Sequence, residues 1–194
     1  MGRIVVTEFV SLDGVMEDPG GGEGSRHGAW TFQFDRGPEG DRFKVDELTA
    51  SDSMLLGRVT YQGFAKAWPG RAGDGGFADT MNSMRKYVVS STLSDAEATW
   101  NNTKVIRGDL RTEVAKLKAE PGGDVLVHGS ARLVQGLIRL DLVDELRLMV
   151  FPIILGSGKR LFSDADRVTK LRLTSSSSVP SGILMLTYHP EAAR

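Results

Sequence analysis

Groups that suit a phosphate occur at three separate points in the chain, each directly after a short apolar run. These points are Gly57-Arg58, Ser90-Ser91 and Gly129-Ser130. An Arg guanidinium forms charge-assisted hydrogen bonds with a phosphate, and a turn of small residues lets a ligand approach the backbone N–H groups closely. If the fold brings the three turns together, these residue types predict a phosphate site.

The turn at Gly129-Ser130 gives the clearest local pattern. Val125–Val127 is typical of a buried parallel strand, while Leu133 and Leu137 repeat at helical spacing, so we expect a helix to begin at about Ser130. The first amides of such a helix favour an anion. The alternative is an ordinary strand–turn–helix corner in which Ser130 is an N-cap and nothing binds.

A second group of candidate residues lies near the N-terminus. Asp13 follows the first predicted strand in a turn, and the Gly-rich stretch 17–28 is either a mobile loop or an active-site flap. Trp30 begins an aromatic segment that either joins the core or walls a flat heterocyclic substrate, with Asp35 at its end.

Composition limits the class of protein. The chain has 194 residues, 40% of them hydrophobic, and a formal net charge of −1, which fits one domain over residues 1–194 and argues against a nucleic-acid surface. We expect no membrane segment and no signal peptide. The chain has no Cys and three widely spaced His, so we expect neither disulfides nor a metal centre. The absence of Cys also predicts a cytoplasmic location.

Strand and helix patterns alternate along most of the chain, which predicts an α/β fold with a largely parallel sheet and helices on its faces. In such sheets ligands bind at the carboxyl ends of the strands, where all three turns fall. The pattern then changes: 145–155 is a long strand, and 171–179 and 183–189 form a C-terminal antiparallel hairpin.

In order and spacing, these motifs resemble the dihydrofolate reductase-like superfamily, and most closely the reductase domain of the bifunctional riboflavin-biosynthesis deaminase-reductase and its stand-alone relatives. The resemblance covers nearly the whole chain. The segments that carry it are 11–14 (Ser-Leu-Asp-Gly), 55–61, 88–91, 127–132, 142–146 and 152–156.

The resemblance implies a three-layer fold and an NADPH site. Arg58 is implied to bind the adenosine 2′-phosphate. The full set of residues implied to hold the phosphates is Gly57, Arg58, Thr60, Ser90, Ser91, Gly129, Ser130, Ala131 and Arg132. Asp13 is implied to lie near the nicotinamide and the substrate, as the proton source or beside a water that it orients. Related domains also imply a homodimer, paired through the C-terminal strands or through 152–162.

The chain departs from folate reductases in two ways. It has Gly129-Ser130 where those enzymes have two glycines joined by a cis peptide bond, and we expect the Gly129–Ser130 bond to be cis as well. Folate reductases also have an acidic residue shortly after a Trp. Its spacing from Trp30 matches Asp35, whereas its spacing from Gly57 matches Asp41, so the proton source stays open among Asp13, Asp35 and Asp41. Folate reduction is therefore not predicted.

The sequence predicts an NADPH-dependent reductase of a small pteridine, a pyrimidine such as 5-amino-6-(5-phosphoribosylamino)uracil, or a related carbonyl or imine compound. No Cys/His zinc signature of a deaminase is present, so only the reductase half of that riboflavin step is expected. The alternative is a non-catalytic nucleotide- or pterin-binding protein on the same fold.

Overall fold

The computed structural model describes residues 2–71, 76–162 and 168–191. Within them lie eight strands, β1 Ile4–Ser11, β2 Ser51–Gly57, β3 Arg85–Val89, β4 Thr103–Ile106, β5 Asp124–His128, β6 Glu145–Phe151, β7 Leu171–Ser178 and β8 Leu184–Pro190. The five α-helices of the described residues are α1 Gly37–Thr49, α2 Arg58–Ala67, α3 Phe77–Ser83, α4 Leu110–Ala119 and α5 Ala131–Arg139.

All eight strands form one sheet in the order β4-β3-β2-β5-β1-β6-β8-β7. The first six are parallel to one another, and β8 runs antiparallel to both β6 and β7. This confirms the predicted α/β fold with its mostly parallel sheet and C-terminal antiparallel hairpin. The predicted strand 145–155 ends earlier than expected, at Phe151, because Pro152 follows.

Both faces of the sheet are covered. Alternate residues of β1 point to opposite faces: Ile4 packs in a cluster with Val114 of α4 and Leu137 of α5, whereas Val5 packs with Leu48 of α1 and Tyr61 of α2. The apolar periodicity of each helix therefore serves to cover one face of the central strands.

The register of the strands places the three turns side by side. Gly57 lies opposite Val89, and Leu55 lies opposite Val127. The residues that follow β3, β2 and β5 therefore meet along one edge of the sheet, beside the end of β1.

None of the helices that the structure describes is both long and apolar enough to cross a membrane.

Candidate functional site

The turns that follow β2 and β5 are joined by hydrogen bonds. Ser130 Oγ accepts from Gly57 N–H at 2.8 Å and lies 2.8 Å from Thr60 Oγ1. A Cβ on Gly57 would lie 2.6 Å from Ser130 Oγ, and a Cβ on Gly129 would lie 2.8 Å from Thr60 Oγ1. Both positions therefore require glycine, and the two turns form one unit, which we call the cradle (Gly57–Thr60 with Gly129–Arg132).

The backbone of the central turn differs from the prediction. No peptide bond among the described residues is cis, so the expected cis bond between Gly129 and Ser130 is wrong. The chain turns instead through two successive residues in the left-handed region, with φ of 58° at Gly129 and 67° at Ser130. Because Ser130 is not a glycine, its positive φ is unfavourable, and its hydrogen bonds to Gly57 and Thr60 hold it there.

The cradle has the donors that a pyrophosphate needs. Helix α2 begins at Arg58 and α5 begins at Ala131, and the first amides of a helix have no acceptor within the helix. Both helix N-termini carry partial positive charge. The side chains of Arg58 and Arg132 are exposed at this edge, so the residues present fit a dinucleotide phosphate group.

The two serines after β3 have different surroundings. Ser90 Oγ accepts from the N–H groups of Thr92 and Leu93, at 3.2 and 3.0 Å, and so closes the turn at the end of the strand. Ser91 is exposed. Ser90 therefore shapes the corner next to Arg58, and its hydroxyl also lies 3.5 Å from Thr92 Oγ1.

One acid of this corner was missed by sequence reasoning. Glu97 lies in a 3-10 turn that follows the serines, and hydrogen bonds from Ser94 lower its pKa, with a further contribution from the nearby charge of Arg58. A negative charge beside Arg58 opposes the binding of a second anion. The Ser94-x-x-Glu97 capping-box pattern is the signal that would have located it.

Asp13 holds a turn at the opposite end of the site. Its carboxylate accepts from Ser11 Oγ at 2.7 Å and from the amides of Leu155 and Gly156 at 3.1 and 2.9 Å. The Ser11 hydrogen bond, assisted by those two amides, lowers the pKa of Asp13 to about 2. At neutral pH Asp13 is therefore ionised, whereas the predicted proton donor must carry a proton.

The other predicted acids and the aromatic wall also lie away from an open site. Trp30 is fully buried against Phe151, and its indole N–H donates to the Glu17 carbonyl, so it belongs to the core. Asp35 accepts a hydrogen bond from Gly37 N–H just before α1, and Asp41 is exposed and paired with Arg36. The structure does not bring Trp30, Asp35 or Asp41 together around a common space.

A cluster of buried polar side chains lies instead between α1 and the central strands. We call it the polar cluster: Thr7 of β1, Lys44 and Glu47 of α1, and His128 of β5, all buried. Lys44 Nζ donates to Thr7 Oγ1 at 2.7 Å and forms an ion pair with Glu47, and Thr7 Oγ1 in turn donates to the Glu47 carboxylate at 2.8 Å. Thr7 lies opposite His128 in the sheet, so the cluster lies directly before the Gly129 turn.

Two buried titratable groups flank that turn on opposite faces. Burial and the charge of Lys44 lower the pKa of His128 well below its ordinary value. Burial raises the pKa of Glu8 well above its ordinary value, against the opposing effects of the Lys44 charge and of a hydrogen bond from Gly129 N–H. At neutral pH the imidazole is therefore neutral, and burial favours the protonated form of the Glu8 carboxyl.

The sequence matches the family model described as the RibD C-terminal domain over residues 3–185. The chain belongs to this family. It is also 30% identical over 190 residues to YyaP, an uncharacterised protein of Bacillus subtilis, with 96% of this chain and 94% of YyaP covered.

Solved structures share the fold. RibD of Acinetobacter baumannii superposes with a TM-score of 0.69 at 17% identity, covering 98% of this chain and 58% of RibD. Dihydrofolate reductase of Enterococcus faecalis, solved with NADP(H), superposes with a TM-score of 0.62 at 16% identity, covering 98% of each chain. The predicted relation to dihydrofolate reductase-like proteins of the RibD reductase type is confirmed.

Proposed function

We propose that this RibD-family protein is an NADPH-dependent reductase of a small carbonyl or imine heterocycle, with the whole chain acting as one reductase domain. The observation that carries the proposal is the cradle. Its two glycines let the two turns pack together where a Cβ would collide with Ser130 or Thr60, and two helix N-termini and Arg58 supply positive charge at the same edge.

Each part of the cradle has a role in holding the cofactor. The amides of Ala131 and Arg132 would bind the pyrophosphate, and Gly57 and Thr60 would border it. Arg58, with the hydroxyls of Ser90 and Ser91, would bind the 2′-phosphate. When bound, reduced nicotinamide supplies the hydride.

The preferred acceptor class is a pyrimidine or a pteridine, such as 5-amino-6-(5-phosphoribosylamino)uracil. Membership of the RibD C-terminal domain family supports this class and a place in riboflavin biosynthesis. The cytoplasmic location predicted from the sequence remains a prediction.

One observation favours a second candidate, a nucleotide- or pterin-binding protein without turnover. Asp13 is ionised and committed to the amides of Leu155 and Gly156, so the acid that the resemblance implies as the proton source has no proton to give. Reduction would then need another donor, such as a water that Asp13 orients, and without one the cradle would only bind.

The two candidates are separated by following the consumption of NADPH with a panel of pyrimidines, pteridines and quinones. Consumption of NADPH that depends on one acceptor supports the reductase. Tight NADPH binding with no consumption for any acceptor supports the binding protein, and absence of NADPH binding contradicts both.

The homodimer also remains a proposal. Exposed apolar side chains at Leu12, Ile154 and Phe162 lie at or near the 152–162 segment, and β7 is an exposed edge strand. We expect light scattering at micromolar concentration to give twice the chain mass, and a monomer under those conditions would contradict the proposal.

A further inference from the structure

Three glutamates are buried in the part of the chain that the structure describes, and one of them has no cation bonded to it. Glu47 is paired with Lys44. Glu145 is paired with Arg3 at 2.7 Å. Glu8 is only 6% exposed, forms no ion pair with any described residue, and its Oε1 has no hydrogen-bond partner. Because buried carboxylates are normally paired, the position of Glu8 requires an explanation.

Glu8 lies at the point where β1 and β5 separate. β5 pairs with β1 only as far as Thr7 opposite His128, whereas β6 follows β1 to Ser11. Gly129 is the residue directly after β5, and its N–H donates to the Glu8 carboxyl. This hydrogen bond connects Glu8 to the first residue of the Gly129 turn in the cradle.

The neighbours of Glu8 on its own face of β1 are apolar. Val6 and Val10 flank it on that face. Both belong to an apolar cluster that includes Leu133 of α5 and Leu148, the residue opposite Glu8 in β6. An ionised carboxylate in such surroundings loses its hydration without gaining a cation. The surroundings therefore favour the protonated carboxyl, in agreement with the raised pKa of Glu8.

The charged groups that act on Glu8 lie on the other face of the sheet. Lys44 of α1 favours the ionised form of Glu8 and Glu47 opposes it, and these two residues are paired with each other. His128 on that face is neutral, and Arg132 at the start of α5 is exposed. None of these groups forms an ion pair with Glu8 in the described structure, so ionisation of Glu8 would leave an unpaired negative charge beside the Gly129 turn.

We propose that Glu8 is a positioning residue of the cradle, whose protonated carboxyl holds the Gly129 N–H without placing a negative charge next to the cofactor phosphates. The inference rests on the proposed function. Loss of the Glu8 proton puts a buried anion beside the turn that binds the pyrophosphate, where solvent screens it little. Cofactor binding and protonation of Glu8 therefore favour each other. The backbone amides of the cradle do not titrate, so the linked proton on the protein is that of Glu8.

The position of Glu8 predicts that the linkage is the same for two cofactors. NADPH and NADH share the pyrophosphate, which the Gly129 turn is proposed to hold, and differ in the 2′-phosphate, which is proposed to bind at Arg58. A phosphate monoester changes its charge near about pH 6, whereas the pyrophosphate diester that NADH carries does not. NADH is therefore the probe whose own charge stays constant.

The experiment is isothermal titration of NADPH and NADH against the full-length parent and Glu8→Gln, from about pH 5 to about pH 9. Glutamine keeps a carbonyl oxygen for the Gly129 N–H and does not ionise. With rising pH, the dissociation constant of the parent should increase relative to that of Glu8→Gln. The increase should be at most about tenfold per pH unit for one proton, and about 5–150-fold in total. Titrations in two buffers of different ionisation enthalpy should show proton uptake by the parent that Glu8→Gln lacks.

Two further variants separate the charge from the hydrogen bond. Glu8→Met removes the acceptor of the Gly129 N–H, so it should bind both cofactors about tenfold more weakly than Glu8→Gln at every pH. Glu145→Gln is the matched control, because it changes another buried glutamate at the amino end of β6, away from the cradle. The folded Glu145→Gln protein should keep the pH dependence of the parent.

The amide resonance of Gly129 in the ¹⁵N-labelled chain gives a readout without cofactor. It should shift with pH in the parent as Glu8 titrates, and this part of the shift should be absent in Glu8→Gln.

The inference is overturned if the parent and folded Glu8→Gln show the same pH dependence of cofactor binding, whether flat or sloped. Absence of NADPH and NADH binding in the parent at every pH contradicts the proposed function instead. In that case the Gly129 resonance still tests the hydrogen bond to Glu8, and an identical pH response in parent and Glu8→Gln would contradict it.

Discussion

The cradle and the polar cluster lie next to each other on one edge of the sheet but are built in opposite ways. The cradle consists of glycines, helix amides and one hydroxyl, Ser130 Oγ, which contacts both Gly57 and Thr60, and its arginines are exposed. In the polar cluster, Thr7, Lys44 and Glu47 are buried and bonded to one another, and His128 is buried beside them. The cradle offers an open surface to an anion, whereas Thr7, Lys44 and Glu47 bond to each other inside the protein.

This difference has an energetic consequence. Backbone amides in a turn are held by the fold and need no change of protonation to bind an anion. Buried ionisable groups are stable only while their charges are matched, so the polar cluster should respond to pH and to the loss of one partner, whereas the cradle should respond mainly to changes of shape.

The largest effect on the cradle should come from adding a single methyl group. In Gly57→Ala the new Cβ would lie 2.6 Å from Ser130 Oγ and 2.9 Å from Ser130 Cβ, so the two turns must separate. Overpacking of this kind costs about 1–3 kcal/mol, and we expect NADPH binding measured by calorimetry to weaken about 10–100-fold.

Gly63→Ala is the matched control, since Gly63 lies in α2, the helix that follows Gly57, and a Cβ added there would have nothing within 4 Å. It should bind NADPH normally and gain about 0.5–1 kcal/mol of stability. If both alanine variants bind as the parent does, the cradle does not hold the nucleotide.

The two regions also differ in how well the sequence predicted them. The turns of the cradle were predictable because glycine and serine directly after apolar runs have local consequences for the backbone. The polar cluster was not, because Lys44 and Glu47 at i,i+3 spacing have the same pattern as a solvated helix face. Only the packing of α1 on β1 makes them buried, and that is a tertiary property.

The family resemblance located the Gly129–Ser130 turn and Trp30 in the sequence but did not predict their geometry or surroundings. The motif gave the position of the turn, but the contact of Ser130 with Gly57 and Thr60 sets its geometry. Likewise the position of Trp30 beside the Gly-rich loop fitted either the core or a substrate wall, and its packing on Phe151 puts it in the core.

The next largest effect is a pH dependence of the polar cluster. The pKa of His128 is lowered in the folded state, so below its ordinary value of about 6.5 the unfolded chain takes up a proton that the folded chain does not. The contribution of His128 to the free energy of unfolding should therefore fall with decreasing pH, by at most about 1.4 kcal/mol per pH unit. The raised pKa of Glu8 contributes a slope of opposite sign, so the effect of His128 is the difference between the parent and a His128 variant. Chemical denaturation between about pH 5 and pH 7 measures it.

His128→Gln keeps a polar side chain that does not titrate, so this part of the slope should disappear in the variant. An unchanged slope would mean that His128 takes up a proton in the folded state as it does in the unfolded state. The assignment of His128 as a buried, neutral imidazole would then be wrong.

The smallest effect concerns the acid beside Arg58. Glu97→Gln removes a negative charge from the corner that is proposed to bind the 2′-phosphate, so NADPH affinity should rise. The gain should be about two- to fivefold at low salt, as for an exposed charge pair, and should decrease with added salt. A decrease in NADPH affinity would place the phosphate elsewhere.

The proposal on which the others depend is that the cradle selects NADPH through Arg58, and its decisive test is isothermal titration of NADPH and NADH against the parent and Arg58→Ala. The two cofactors differ only in the 2′-phosphate. We expect the parent to prefer NADPH, and Arg58→Ala to weaken NADPH binding about 10–100-fold while NADH binding is nearly unaffected. Equal weakening of both cofactors, or a parent that prefers NADH, would show that Arg58 does not bind the 2′-phosphate.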